Sequence, residues 1–184
     1  MNATIVIGHG GLEEELHERF RGSARVAIVG IGDELQVHDR LGILAAREIG
    51  GLHLPNVQVF IAGTVPEAVT GPIRRFRPDH IVLLDAADMG ARPGTVAVIS
   101  PDRVVGRTFS THSLPLTVVI EYLETATKAR VTLVGIQPDL GVRGPSPTAA
   151  EEAGLARAVG CMQRILSSRS AARRERLAAA SKAL

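Results

Sequence analysis

Asp39, Asp85 and His112 lie far apart in this 184-residue chain, yet together they offer the donors that bind a divalent transition ion. Two carboxylates and one imidazole form a set of borderline hardness, and three protein ligands leave coordination positions open. An ion held there could polarise a carbonyl or lower the pKa of a bound water, or it could only position a substrate. Each residue also has an ordinary structural use. An Asp at a strand end caps the next helix, and a lone His is a satisfied loop residue. Rival machinery is missing from the sequence: it has no Gly-x-Ser-x-Gly elbow, no His-Glu-x-x-His helix and no Asp-Thr-Gly pair. Cys161, the single cysteine, falls inside a helical pattern and reads as packed. One cysteine excludes a disulfide framework and a thiolate metal cage.

The elements that must position these residues begin with Val26-Ala27-Ile28-Val29, a β-branched apolar run that reads as a buried strand. Gly30 and Gly32 turn the chain into the polar loop Asp33–Asp39, and a helix-like run follows Gly42. In an open α/β sheet, ligands bind in the crevice at the carboxyl ends of the strands, so this loop is a site candidate. Gly30-Ile31-Gly32 supplies half a dinucleotide fingerprint, but Leu35 stands in place of the third glycine. The following strand ends in Ile61-Ala62-Gly63, not in the acid that would hold a ribose.

Taken in order, the pattern predicts a helix over 12–20, strands near 26–29, 57–61, 80–84, 95–99 and 131–135, and helices between them. Thr64 and Glu67 have the spacing of a capping box for a helix ending near Phe76. Ser146-Pro147 is expected to cap a last helix from Thr148 to about Ser167, which the basic tail 168–184 either extends or leaves as a tail. A single domain over 1–167 follows: an α/β fold with a twisted, mostly parallel five-stranded sheet and helices on both faces. The third and fourth strands are joined too briefly for a parallel crossover, so one antiparallel pair is expected. If the first and third strands are parallel neighbours, Asp39 and Asp85 emerge at one edge, and His112 can join them from a loop.

Composition agrees with a compact interior. The chain is 45% hydrophobic with only 3% aromatic residues, so the core is aliphatic. Net charge is +2, which gives no global signal for nucleic acid; the basic bias is local, at Arg74, Arg75, Arg77 and the C-terminal tail. No basic n-region and no run of membrane-spanning length occurs, so the expectation is a soluble, cytoplasmic protein.

Five blocks, in order, resemble the NiFe hydrogenase maturation endopeptidases. They are Val29-Gly30-Ile31-Gly32 with Asp39 and Gly42; Gly63-Thr64-Val65-Pro66-Glu67; and Leu84-Asp85-Ala86-Ala87-Asp88-Met89-Gly90 with Pro93-Gly94. Ser110-Thr111-His112-Ser113-Leu114-Pro115-Leu116 and Gly135-Ile136-Gln137-Pro138 complete them. The resemblance covers Val26 to Leu166 and is greatest to the branch serving formate-linked, energy-conserving hydrogenases.

It implies a protease that removes a C-terminal extension from the hydrogenase large-subunit precursor, recognising nickel already inserted in that substrate. The family's metal-contacting residues fall on Asp39, Asp85 and His112, which are therefore the expected catalytic and metal residues. Nickel is expected to arrive with the substrate, although another divalent metal could occupy the site. The expected partner is the precursor, with no nucleic acid and no membrane span, and the chain is expected to be a monomer. A non-catalytic precursor- or metal-binding chaperone of the same fold is the alternative. Two departures stand out: Asp33 replaces the family's usual Asn, and Val37-His38-Asp39-Arg40 replaces a Gly-Asp-Asp-Gly-like run.

Overall fold

Every residue of two strands is buried, and that single fact dictates a layered architecture. β1 (Val26–Ile31) and β3 (His80–Ala86) point alternate side chains to opposite faces of a sheet, so both faces must be covered. The computed structural model describes residues 11–100 and 115–182, with the side chains of the last helix described as far as 169. Along it run α1 (Gly11–Arg19), β1, α2 (Leu41–Gly51), β2 (Val57–Gly63), a 3-10 turn (Pro66–Val69) and α3 (Thr70–Phe76). Then come β3, β4 (Val96–Ile99), α4 (Leu116–Thr127), β5 (Arg130–Ile136) and α5 (Ala149–Lys182).

The five strands form one sheet in the order β2-β1-β3-β5-β4. All neighbours are parallel except β4, which runs antiparallel to β5. The expected antiparallel strand is therefore present, but its partner is β5 and not its chain neighbour β3. Val26, Ile28, Val82, Leu84, Val134 and Ile136 face a core closed by α1, α2 and α5. Their alternates Ala27, Val29, Ile81, Leu83 and Leu133 face a second core closed by α3 and α4. The α/β single domain expected from the sequence is the observed fold.

Strand order reverses between β1 and β3. From β1 the chain goes outward to β2, and from β3 it continues on the other side. Connections from the two strands diverge there, the position at which open α/β sheets bind their ligands.

Two capping expectations are corrected. The segment after β2 enters a 3-10 turn whose cap position is Val65 without a side-chain cap, and α3 starts only at Thr70. Thr70 Oγ1 instead donates to the Glu67 carbonyl oxygen at 2.8 Å. At the last helix the cap is Thr148. Its Oγ1 accepts from the Glu151 N–H at 3.3 Å, and Glu151 Oε2 accepts from the Thr148 N–H at 2.7 Å, a reciprocal capping box. The basic tail extends this helix as far as Lys182.

Candidate active site

Asp85 lies inside β3, paired with Gly135 of β5, one residue before the strand ends. Asp39 lies in the connection from β1 to α2. Because β1 and β3 are parallel neighbours in register from Val26↔His80 to Gly30↔Leu84, both acids reach the same carboxyl edge, at the point of strand-order reversal. Their mutual charge is felt: Asp39 is one of the groups that raise the Asp85 pKa.

The Asp39 loop is held by its own turns. The Asp33 N–H donates to the Asp39 carbonyl oxygen at 3.2 Å, and the Asp39 N–H donates to the Gln36 carbonyl oxygen at 3.0 Å. Asp33 Oδ1 accepts from the Leu35 N–H at 2.9 Å, so Asp33 makes an Asx turn. Gly32 has φ +124°, and a β-carbon there would lie 1.8 Å from the Asp39 carbonyl oxygen. Only glycine lets the loop close that tightly.

Both carboxyls are removed from water. Asp85 is fully buried and Asp39 is 4% exposed. Neither Asp85 oxygen, nor Asp39 Oδ1, finds a hydrogen-bond partner among the described residues. Burial pushes Asp85 up to about 8, the Asp39 charge adds to this, and the Ala86 backbone N–H offsets only part of it. Burial likewise lifts Asp39 to about 6, against a lowering by the Asp33 N–H. Two buried acids with three unpartnered oxygens form a site that a cation would satisfy, and a cation would draw both into the ionised form.

His112, the third expected ligand, lies outside the described residues, as does the block Ser110–Leu114. Among the described residues no group of three His, Cys, Asp or Glu side chains is placed to hold a metal ion. Cys161 is packed as expected: it is 2% exposed, and burial pushes its thiol to about 11. Such a thiol is kept protonated, without the thiolate character of a reactive cysteine.

Sequence reasoning missed the side chains that brace this edge. Gln137 is 2% exposed, and its Oε1 accepts from the N–H groups of Met89 at 2.6 Å and Ala91 at 3.2 Å. It thereby pins the turn that follows Asp85 to the end of β5. Glu151, 1% exposed, joins its capping box to the Asp139 N–H at 2.9 Å and fixes the β5–α5 connection. The signals available were Gln137 within the quoted Gly-Ile-Gln-Pro block and the capping-box spacing of Thr148 and Glu151. The arginine cluster noted in the sequence lies elsewhere. Arg25, Arg74, Arg75 and Arg77 line a cavity of about 720 Å³ with Gly71, Ala126 and Thr127, where β1 begins and α3 and α4 end.

The model of a family described as hydrogenase maturation protease matches residues 45–155, a span that includes Asp85 and His112 and begins just after Asp39. A Methanocaldococcus jannaschii protein provisionally named a hydrogenase maturation protease is 31% identical over 137 residues, covering 70% of this chain and 81% of that protein. The hydrogenase 3 maturation protease of Escherichia coli is 32% identical over 111 residues, covering 60% of this chain and 70% of that protein. The crystal structure of a [NiFe] hydrogenase maturation protease from Thermococcus kodakarensis superposes with a TM-score of 0.73 at 31% identity, covering 83% of this chain and 98% of that one. A protease fold, the acids of the quoted blocks at its carboxyl edge and a family match over most of the chain converge: this chain is a peptidase belonging to the hydrogenase maturation protease family.

Proposed function

We propose that this peptidase removes a C-terminal extension from the large-subunit precursor of a NiFe hydrogenase after nickel insertion. In this reading Asp39 and Asp85, with His112, contact the nickel that the substrate carries. The observation that carries the reading is the Asp39–Asp85 pair: two buried carboxyls at the strand-order reversal, of which both Asp85 oxygens and Asp39 Oδ1 lack hydrogen-bond partners among the described residues.

The donor set fits a substrate-borne ion. Oxygen and nitrogen ligands without a thiolate make a weaker, more exchangeable site than a closed four-ligand cage. Nickel in that position supplies a positive charge that favours the ionised acids and fixes the neighbouring peptide. The chain's own residues do the rest. Asp85 is immobilised by its strand, whereas Asp39 is presented by a loop of turns. Each gives up its proton as the substrate docks, because a nearby positive charge lowers a carboxyl pKa. A metal-free precursor offers nothing to these two groups, so docking itself becomes the check that insertion has occurred.

A polypeptide substrate also suits the surroundings. Leu35, Val65, Leu140 and Val142 are exposed, Leu35 to 90%, and each lies in a segment that follows a strand's carboxyl end. Apolar side chains left in water near a site favour a macromolecular partner. The similarity of the five sequence blocks supports a formate-linked, energy-conserving hydrogenase as the one served.

The test is incubation with nickel-loaded large-subunit precursor, read by intact mass. Loss of a C-terminal fragment supports the reading. An unshortened precursor, bound or not, contradicts it.

A further inference from the structure

Arg40 follows Asp39 directly and is 5% exposed. One end of its guanidinium is fixed: Nη1 donates to the carbonyl oxygen of Pro145 at 2.7 Å, in the connection from β5 to α5. Nε and Nη2 are buried and meet no acceptor among the described residues. These two atoms share one edge of the planar group, with their N–H bonds directed alike, the geometry that takes both oxygens of a carboxylate.

The same edge is used elsewhere in the chain. Arg164 Nε donates to Glu13 Oε1 at 3.0 Å and its Nη2 to Oε2 at 2.6 Å. That pair is exposed, where it contributes little. At Arg40 the edge is buried, where two donors without acceptors cost stability that a carboxylate partner would recover. The adjacent acids are not that partner. Asp39 and Asp85 make no hydrogen bond or ion pair with Arg40, and burial sets their raised values. Pro145 and Asp39 both lie in connections leaving carboxyl ends of strands, β5 and β1, so the fork lies on the catalytic edge of the sheet.

We propose that the Nε–Nη2 edge of Arg40 binds a carboxylate of the polypeptide substrate beside the Asp39–Asp85 pair. This rests on the reading of the protein as a precursor-processing peptidase. The carboxylate has two sources: an acidic side chain of the uncleaved precursor, or the α-carboxylate left when water cleaves the peptide bond and the extension departs with the new amine.

The experiment compares Arg40→Lys and Arg40→Gln with the unaltered enzyme on nickel-loaded precursor, reading KM, kcat, inhibition by shortened large subunit, precursor affinity and melting temperature. Lysine keeps the charge and can reach Pro145 but cannot present two parallel donors. If an acidic side chain is bound, KM and the precursor Kd rise about tenfold while kcat stays within about threefold. If the α-carboxylate is bound, KM holds and inhibition by the shortened subunit weakens about tenfold. In both cases Arg40→Lys melts near the unaltered protein. Should it melt low, Arg40→Gln is judged by the same ratios. Unchanged KM, Kd and product inhibition, with normal cleavage by the unaltered enzyme, overturn the proposal and leave Arg40 as a strap on Pro145. If the unaltered enzyme binds precursor without cleaving it, the functional reading fails, and the Kd of the variants still decides the role of Arg40.

Discussion

Gly42 lies against the carbonyl oxygen of Leu84: a β-carbon at position 42 would stand 2.2 Å from it and 2.5 Å from the carbonyl oxygen of Ile31. This contact sets the start of α2 down on the ends of β3 and β1, and it keeps Asp39 beside Asp85. Gly42→Ala must push the helix off backbone that cannot yield, at a cost of roughly 1–3 kcal/mol. The variant should melt lower and lose cleavage together, by differential scanning calorimetry and intact mass. Full activity at unchanged melting temperature would show that this packing does not position the acids.

Asp85 gives a pH signature. Its folded value of about 8 lies above the unfolded 3.8, so the protonated acid contributes stability that is fully present below the unfolded value and lost as pH rises through the folded one. Asp85→Asn keeps the shape and cannot ionise. Its melting temperature, relative to the unaltered protein, should rise between about pH 5 and about pH 8.5, by an amount worth a few kcal/mol. Cleavage should be lost at every pH. A difference that does not change with pH would refute the buried, protonated acid.

His80 tilts stability the other way. It is 1% exposed, its Nε2 lies 2.8 Å from Thr132 Oγ1, and its ring packs edge-on against Phe20 with centroids 4.7 Å apart. Burial, reinforced by the charges of Arg130, Arg19 and Arg169, lowers it from 6.5 to about 3. The neutral ring's contribution is present above the unfolded value and is lost as pH falls through the folded one. His80→Gln can keep the Thr132 bond without titrating, so its unfolding by acid should be shallower between about pH 6.5 and about pH 3.5. Parallel acid limbs would contradict this.

Gln137→Ala removes the acceptor shared by the Met89 and Ala91 N–H groups. The buried Met89 donor loses its partner, which costs about 1–3 kcal/mol, and the part-buried Ala91 donor adds less. The turn after Asp85 should show faster amide exchange at Met89 and Ala91, with a lower kcat. Unaltered exchange there would mean the turn holds itself.

The fold was legible because its strands are unbroken apolar runs, and His80–Leu84, buried on both faces, could belong only to a parallel interior strand. Asp39 and Asp85 could be brought together on paper because parallel neighbours deliver their carboxyl ends to one edge. Pairing of β4 with β5 was not legible, since a short connection fixes direction but not which neighbour lies alongside. Thr64 misled because cap spacing is a local signal, and the chain enters a 3-10 turn at Pro66 before α3 begins. Gln137 and Arg40 owe their roles to partners far along the chain, which no local pattern announces, whereas the Thr148–Glu151 box has the local spacing that was assigned instead to Thr64 and Glu67. His112, carried by the resemblance, lies outside the described residues.

In the proposed function, nickel in the substrate licenses cleavage and is read by Asp39 and Asp85. The most direct measurement is intact-mass analysis of nickel-loaded and nickel-free precursor incubated with the unaltered protein and with Asp85→Ala. C-terminal shortening is expected only for the loaded precursor with the unaltered protein, and none with Asp85→Ala even though it remains folded. Rapid shortening of the nickel-free precursor, or full activity of Asp85→Ala, would contradict it.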